Sequence, residues 1–187
     1  AIDYILKPAS ADDITEIITR LNRIKPPQNV YQMPAHQARV CCFGMLSVCG
    51  VGFTEPLKWR TAKTEELFAF MLQNLNTGVP KWKITQVLWP EYDEEKKIDV
   101  NLYTTVYKVK KMLLDANIKF TFTFQNGTYK MELPGASIDT NEFMAITDGE
   151  IYVAEETLDK YKAAFRLFRG TYLGENEYRW SKSEAEK

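Results

Sequence analysis

The sequence predicts an α+β fold in which a small antiparallel sheet, three helices and a β-hairpin follow one another along the chain. Three observations support this prediction. The β-like runs VCCFG and LSVCGVGF contain glycines where the chain must turn. Apolar residues then recur at helical spacing in three successive segments. Finally, Asn126 and Gly127 separate two alternating runs, which is the strongest short-range signal for a hairpin.

The sheet and the first helix occupy residues 39–78. Besides the two β-like runs, LKW at 57–59 is a candidate third strand. Thr61 is placed to cap a helix, and we expect Gly78 to end it. The apolar positions of this helix form a broad face that should be buried, made of Leu67, Phe68, Phe70, Met71 and Leu75.

Two further helices precede the hairpin. Pro80 suits the start of the helix KWKITQVLW, which should stop at Pro90. After the charged connector EYDEEKK, a longer helix is expected from about residue 97 to residue 117, with one apolar stripe formed by Leu102, Val106, Val109 and Leu113. Three helices followed by a hairpin are the order of a winged helix-turn-helix, so residues 39–134 form the predicted domain.

The regions on either side of this domain differ from it in composition and in hydrophobic spacing. Residues 1–24 predict a short strand and a helix, and residues 25–38, with two adjacent prolines, predict a linker. Residues 135–187 return to a helical pattern, with helices expected at about 141–148 and 155–168. Because the sequence begins at Ala1 in what resembles the middle of a domain, we expect a fragment of a longer protein.

The composition disfavours several classes of protein. The hydrophobic share of 45% is ordinary for a globular chain, and neither a membrane-spanning run nor a secretory signal is visible, so we expect a cytoplasmic protein. The three cysteines, Cys41, Cys42 and Cys49, lack CxxC spacing and predict buried free thiols. With His36 as the single histidine, we expect neither a metal site nor a cofactor.

Catalytic motifs are absent from the sequence. It contains no GxSxG, no P-loop and no glycine-rich dinucleotide turn, and one histidine argues against a Ser-His-Asp triad. The carboxylates between Glu91 and Glu95 lack EF-hand spacing and indicate a solvated loop. An enzyme that uses the acidic C-terminal third has no supporting constellation, so we expect no enzymatic activity.

The third helix carries the strongest functional signal. Residues 100–114 contain three lysines and no acid, although the net charge of the whole chain is −1. A step of about 100° per residue places Thr104, Tyr107, Lys108 and Lys111 opposite the apolar stripe, with Thr105 on the flank. Such a face fits the major groove of DNA, where Lys108 can donate to guanine and threonine can touch thymine. Tyr107 and Lys111 suit phosphates.

Neighbouring segments supply further candidates. Thr128 and Lys130 lie on the hairpin, and Trp82 stands between two lysines at a helix start, where backbone N–H groups can hold a phosphate. The full set of predicted DNA-contacting residues is Trp82, Lys83, Asn101, Thr104, Thr105, Tyr107, Lys108, Lys111, Thr128 and Lys130. The plainer interpretation of the same helix is a solvated lysine face, and Trp59 and Trp89 more simply fill the core.

Several stretches resemble a known family. The segments KTEELFAFMLQN, VLWPEYDEEK and NLYTTVYKVKKML resemble the winged helix of SARP-type transcription regulators, a branch of the OmpR-type family. The resemblance implies DNA-reading positions at Thr104, Thr105, Tyr107 and Lys108, and contact with RNA polymerase through the loop 89–96. Members of this branch carry arginines where Lys110 and Lys111 stand, and lysine lacks the bidentate fork of arginine.

Both ends of the chain extend this resemblance. The stretch after residue 135, with Gly170, Tyr172, Leu173 and Trp180, is similar to the start of the tetratricopeptide-like bacterial transcriptional activation domain. Residues 1–24 resemble the end of a response-regulator receiver, in which Lys7 would contact a phosphoaspartate that lies upstream of this chain. The family therefore implies a two-component activator that is controlled by a histidine kinase and binds promoter DNA as a homodimer.

The predicted function is sequence-specific binding of double-stranded promoter DNA. The alternative is a protein-interaction module that uses the winged helix and the helical tail, with Lys108 merely solvated. Salt dependence distinguishes the two, because binding through several lysines to phosphates weakens steeply as salt rises.

Overall fold

A computed structural model describes residues 36–91, 94–147, 155–176 and 178–181 of the chain. The predicted receiver remnant with Lys7, and most of the predicted linker, lie outside these residues. In chain order the elements are β1 (Arg39–Cys41), β2 (Ser47–Cys49), α1 (Ala62–Gln73), β3 (Val79–Pro80), α2 (Lys81–Leu88), α3 (Glu95–Asp115), β4 (Thr121–Gln125), β5 (Thr128–Glu132), β6 (Ser137–Ile138), α4 (Asp139–Thr147) and α5 (Glu155–Leu167).

The N-terminal sheet has the strand order β2-β1-β6. β1 and β2 pair antiparallel with Val40 opposite Val48, as the sequence predicted. The expectation of a strand at 57–59 was wrong, because that segment makes one backbone hydrogen bond to β2, from Leu57 N to Val48 O at 2.7 Å. The third strand is instead β6, which comes from beyond the hairpin and pairs parallel to β1.

Helix α1 fills the centre of the molecule. Its predicted cap is confirmed, since the Thr61 side chain accepts a hydrogen bond from Thr64 N at 3.2 Å. The helix ends at Gln73 rather than at Gly78, because Asn76 supplies the left-handed conformation with φ 64° that terminates the turn. Gly78 serves another purpose, since a Cβ atom there would lie 2.8 Å from Thr128 Cγ2 on β5. This glycine lets the chain pass close to the hairpin.

Helix α3 packs on α1 through the predicted stripe. Leu102, Val106, Val109 and Leu113 are all buried. The helix begins and ends about two residues before the predicted bounds. Asn117 with φ 54° ends it in the left-handed region, and Ile118 N donates back to Leu113 O at 2.9 Å.

The hairpin of β4 and β5, called the wing below, forms where the sequence predicted it. Asn126 and Gly127 both have positive φ, 49° and 73°, which is the type I′ turn expected from this pair. β3 adds to the other edge of β5, giving the order β3-β5-β4. Lys81 N then donates to Gly127 O at 2.8 Å, and this bond holds the start of α2 beside the tip of the wing.

Residues beyond 134 fold back on the N-terminal sheet. The predicted helices are present as α4 and α5. Leu173 N donates to Cys42 O at 2.8 Å, and the Trp180 ring lies 5.3 Å from the Phe70 ring of α1. The three cysteines are buried free thiols, as expected from their spacing.

Candidate nucleic-acid interface

The predicted DNA-contacting residues belong to three elements that touch one another. Besides the bond between Lys81 N and the wing tip, Lys81 Nζ lies 2.6 Å from Asp99 Oδ2 on α3. Lys110 Nζ of α3 lies 5.7 Å from the centre of the Phe122 ring on β4. α3, the start of α2 and the wing are therefore fixed relative to one another without a flexible connection.

The outward face of α3 has the predicted composition. Thr104, Tyr107 and Lys111 are exposed, and Asn101 and Lys108 are half-buried. Asp99 and Asp115 stand just outside the segment 100–114, which contains no carboxylate of its own. The outward face therefore presents hydroxyl and ammonium groups without an acid on the same segment to repel a phosphate.

Thr105 does not belong to this face. Its side chain is buried, and its hydroxyl donates to Asn101 O at 2.7 Å. The flank on which Thr105 lies is closed by tertiary packing, since Met112 and Ala116 on the same flank are also buried. A Cβ atom at Gly50 would lie 1.8 Å from Ala116 O, so the chain after β2 runs directly against this side of the helix. The prediction that Thr105 contacts DNA was wrong for this reason.

The wing carries its two predicted residues in different settings. Thr128 is half-buried, while Lys130 is exposed and lies 2.6 Å from Glu132 Oε1. Hydrogen bonds from Lys130 and from Thr121 lower the pKa of Glu132, with the charge of Lys130 adding to the effect. An exposed ion pair of this kind is weak, so a phosphate can replace the carboxylate as the partner of Lys130.

The start of α2 presents Trp82 and Lys83, both exposed. Pro80 occupies the N-cap position, and no side chain caps the first amides of this helix. The arrangement leaves the positive end of α2 and the indole ring beside the wing tip, where the sequence predicted a phosphate contact.

The sequence analysis missed two exposed residues on α3. Val100 and Tyr103 have large exposed side chains. Burial raises the pKa of Tyr129 on β5, and the charge of Tyr103 is among the smaller causes. The helical wheel alone placed both residues outside the buried stripe, and that was the available signal.

The described residues offer little for other chemistry. Within them, no group of three His, Cys, Asp or Glu side chains is arranged to hold a metal ion. None of the helices in this part of the chain has the length and apolar character needed to cross a bilayer.

Comparison with known proteins supports the fold. The chain is similar to Mycobacterium tuberculosis EmbR, whose structure was solved in complex with a low-affinity phosphopeptide, with a TM-score of 0.68 at 19% sequence identity. The match covers 80% of this chain and 41% of the EmbR chain, so it spans about two fifths of that protein. No family model matches the sequence, and no curated protein matches it either. At this identity the likeness establishes a shared fold.

Proposed function

We propose that this chain is the DNA-binding part of a transcription regulator that recognises double-stranded promoter DNA through α3. The observation that carries the proposal is the acid-free outward face of α3, flanked by the wing and the start of α2. An α-helix fits the major groove, and a wing supplies a second contact to the backbone. The fold likeness to EmbR and the sequence resemblance to SARP-type regulators both support this function.

The exposed residues divide between reading bases and holding phosphates. In the proposal Thr104 and Lys108 face base edges, where lysine donates to guanine O6 and N7. Lys111 and the phenol hydroxyl of Tyr107 contact phosphates next to the groove, and Asn101 lies at the edge of the same face. The remaining phosphate contacts come from the start of α2 and from the wing, through Trp82, Lys83, Thr128 and Lys130.

The decisive experiment is fluorescence anisotropy with duplexes selected from a random-sequence library. With Lys83, Lys111 and Lys130 on phosphates, the log–log slope of affinity against salt should be about −3 for each copy of the chain. Lys108→Ala should weaken binding of the selected site by about 1–3 kcal/mol and relax one base position. Lys111→Ala should weaken all sequences alike.

Lys162→Ala is the matched control for both variants. Lys162 lies on α5 and pairs with Asp159 at 3.2 Å, so its loss should leave the affinity and the salt slope unchanged. Salt-independent binding, or wild-type affinity in Lys108→Ala, would contradict the proposed face.

The resemblance extends the proposal to the regulator as a whole. In this extended proposal the chain binds DNA in the cytoplasm as a homodimer and activates transcription, and the loop 89–96 contacts RNA polymerase. The receiver domain whose end residues 1–24 resemble would be phosphorylated by a histidine kinase. Arg179 lies 3.4 Å from Glu91, and this contact links the start of that loop to the C-terminal segment.

A protein-binding role is the second candidate. It is favoured by exposed apolar side chains on α3, which soluble proteins commonly bury against a partner. In that case binding depends on these side chains, and neither duplex DNA nor the lysines contribute.

A further inference from the structure

Helix α3 exposes an unusual amount of apolar surface. Val100, Tyr103 and Tyr107 have exposed fractions of 64%, 73% and 60%. We call these three residues the apolar stripe. They stand at spacings of three and four, so they form one continuous strip along the helix. Their exposure needs an explanation, because the interior side of the same helix is already fully packed.

The apolar stripe occupies the wing side of the outward face. Lys110, whose Nζ lies 5.7 Å from the centre of the Phe122 ring of the wing, fixes this direction, because Tyr103 lies two turns earlier on the same side of the helix. Thr104, Lys111 and Lys108 follow further around the helix at steps of about 100° per residue. The apolar stripe therefore lies between Lys110 on the wing side and Thr104, Lys108 and Lys111 on the other side.

We propose that the apolar stripe reads thymine 5-methyl groups in the major groove, so that the DNA recognised by this chain presents A·T pairs to the wing side of α3. The inference rests on the proposed function and specifies its base preference. Among the base edges of the major groove, the thymine methyl is the apolar contact that a side chain can make. With a rise of about 1.5 Å per residue, the stripe spans roughly 10 Å, or about three base-pair steps.

Charge decides between DNA and a second copy of the chain as the occupant. Lysines border the apolar stripe at positions 108 and 111 on one side and at position 110 on the other, while the nearby acids Glu94 and Asp99 are paired with Lys97 and Lys81. In a two-fold dimer built on this face, each patch meets itself, so these lysines would face the same lysines of the other copy. A duplex instead offers a phosphate row on each side of the groove, with methyl groups between the rows.

The test replaces thymine by deoxyuridine, which removes the methyl group and nothing else. The probe is the tightest duplex selected from a random-sequence library, and each thymine is replaced in turn. We expect uracil to weaken binding about fourfold at two or three neighbouring positions, which is the effect of losing one buried methyl-sized group. The salt slope should stay the same, because no phosphate contact changes.

Single substitutions in the stripe identify which side chain contacts which thymine. Val100→Ala and Tyr103→Ala should each abolish the effect of uracil at one position while binding stays salt-dependent. Leu114→Ala is the matched control, because Leu114 lies on the same helix with an exposed fraction of 67% but about two turns beyond the stripe. It should leave the uracil effect unchanged, and Lys108→Ala should lower affinity without altering that effect.

The outcomes separate this inference from the proposed function. Salt-dependent binding with no uracil effect at any position overturns the methyl reading and leaves DNA binding intact. A uracil effect that persists in both stripe variants also overturns it. If no duplex binds, then both the inference and the proposed function fail. Both fail likewise if the chain self-associates and Val100→Ala and Leu114→Ala each disrupt that association, because α3 would then bind a second copy of the chain instead of DNA.

Discussion

Replacement of Asp139 by alanine should separate the C-terminal segment from the N-terminal sheet. Asp139 begins α4 and has an exposed fraction of 4%. Its carboxylate accepts hydrogen bonds from Cys42 N at 2.7 Å and from Phe43 N at 3.1 Å, both at the end of β1. Thr140 N donates to it at 2.8 Å, and Arg169 Nη2 lies 3.4 Å away.

The magnitude follows from these contacts. Asp139→Ala leaves the buried amides of Cys42 and Phe43 without an acceptor, and each such group costs roughly 1–3 kcal/mol. The loss of an acid at the start of α4 adds about 0.3–1 kcal/mol. The ion pair with Arg169 adds little, because that side chain is half exposed. Because a water molecule can take the place of the removed carboxylate, the cost per amide lies at the lower end of its range, and the free energy of unfolding should fall by about 2–4 kcal/mol.

Thermal unfolding followed by circular dichroism measures this loss. At about 2–4 °C per kcal/mol for a chain of this length, Tm should fall by about 4–16 °C. Asp159→Ala is the control, because it removes an exposed carboxylate whose pair with Lys162 is worth less than about 1 kcal/mol. If both variants melt within about 1 °C of each other, then the Asp139 bonds do not hold the segment in place and the reasoning fails.

Two further predictions concern the wing and the buried thiols. Glu132→Gln removes the carboxylate 2.6 Å from Lys130 that competes with phosphate, so affinity for all duplexes should rise a few-fold while the salt slope stays near about −3; unchanged affinity would contradict a phosphate role for Lys130. Burial raises the pKa of Cys41 and Cys42 above 9.0, so the unfolded chain loses these protons first as pH rises. Stability is therefore full below about pH 9 and declines above it, and urea midpoints under reducing conditions should show a smaller decline in a Cys41→Ala/Cys42→Ala variant.

Local signals in the sequence predicted much of the α+β fold of residues 39–134. The Asn126-Gly127 turn, the Thr61 cap and the buried stripe of α3 depend on residues within a few positions of one another. Strand β6 was not predictable in the same way. It has two residues, and its place beside β1 depends on contacts such as that between Cys42 and Asp139, which are 97 residues apart. Neither the hydrophobic period nor the β-propensity of a segment predicts a strand pairing between residues so far apart in the sequence.

In the candidate site, too, some features could be predicted from local sequence and others depend on tertiary contacts. Helical spacing predicted the exposure of Thr104, Tyr107 and Lys111, because the opposite side of α3 had to meet the core. It placed Thr105 wrongly because this residue stands three positions after Leu102 and four before Val109, so it is buried with the stripe and its hydroxyl donates to Asn101 O. Val100 and Tyr103 were missed for a different reason. Apolar residues at helical spacing ordinarily indicate a core, and their exposure becomes evident when the wing and α1 are in place.

The charge of the chain constrains how the proposed DNA binding can work. The net charge is −1, and the segment after residue 134 contains more acids than bases, so the net charge of this chain does not attract phosphate. Non-specific affinity comes almost entirely from phosphate contacts, and few lysines face outward from the three elements of the site. Selectivity then depends on short-range contacts in the groove, from Thr104, Lys108 and the apolar stripe. Because a single copy would offer about three base-pair steps of such contacts, we expect the proposed binding to use two copies on adjacent half-sites.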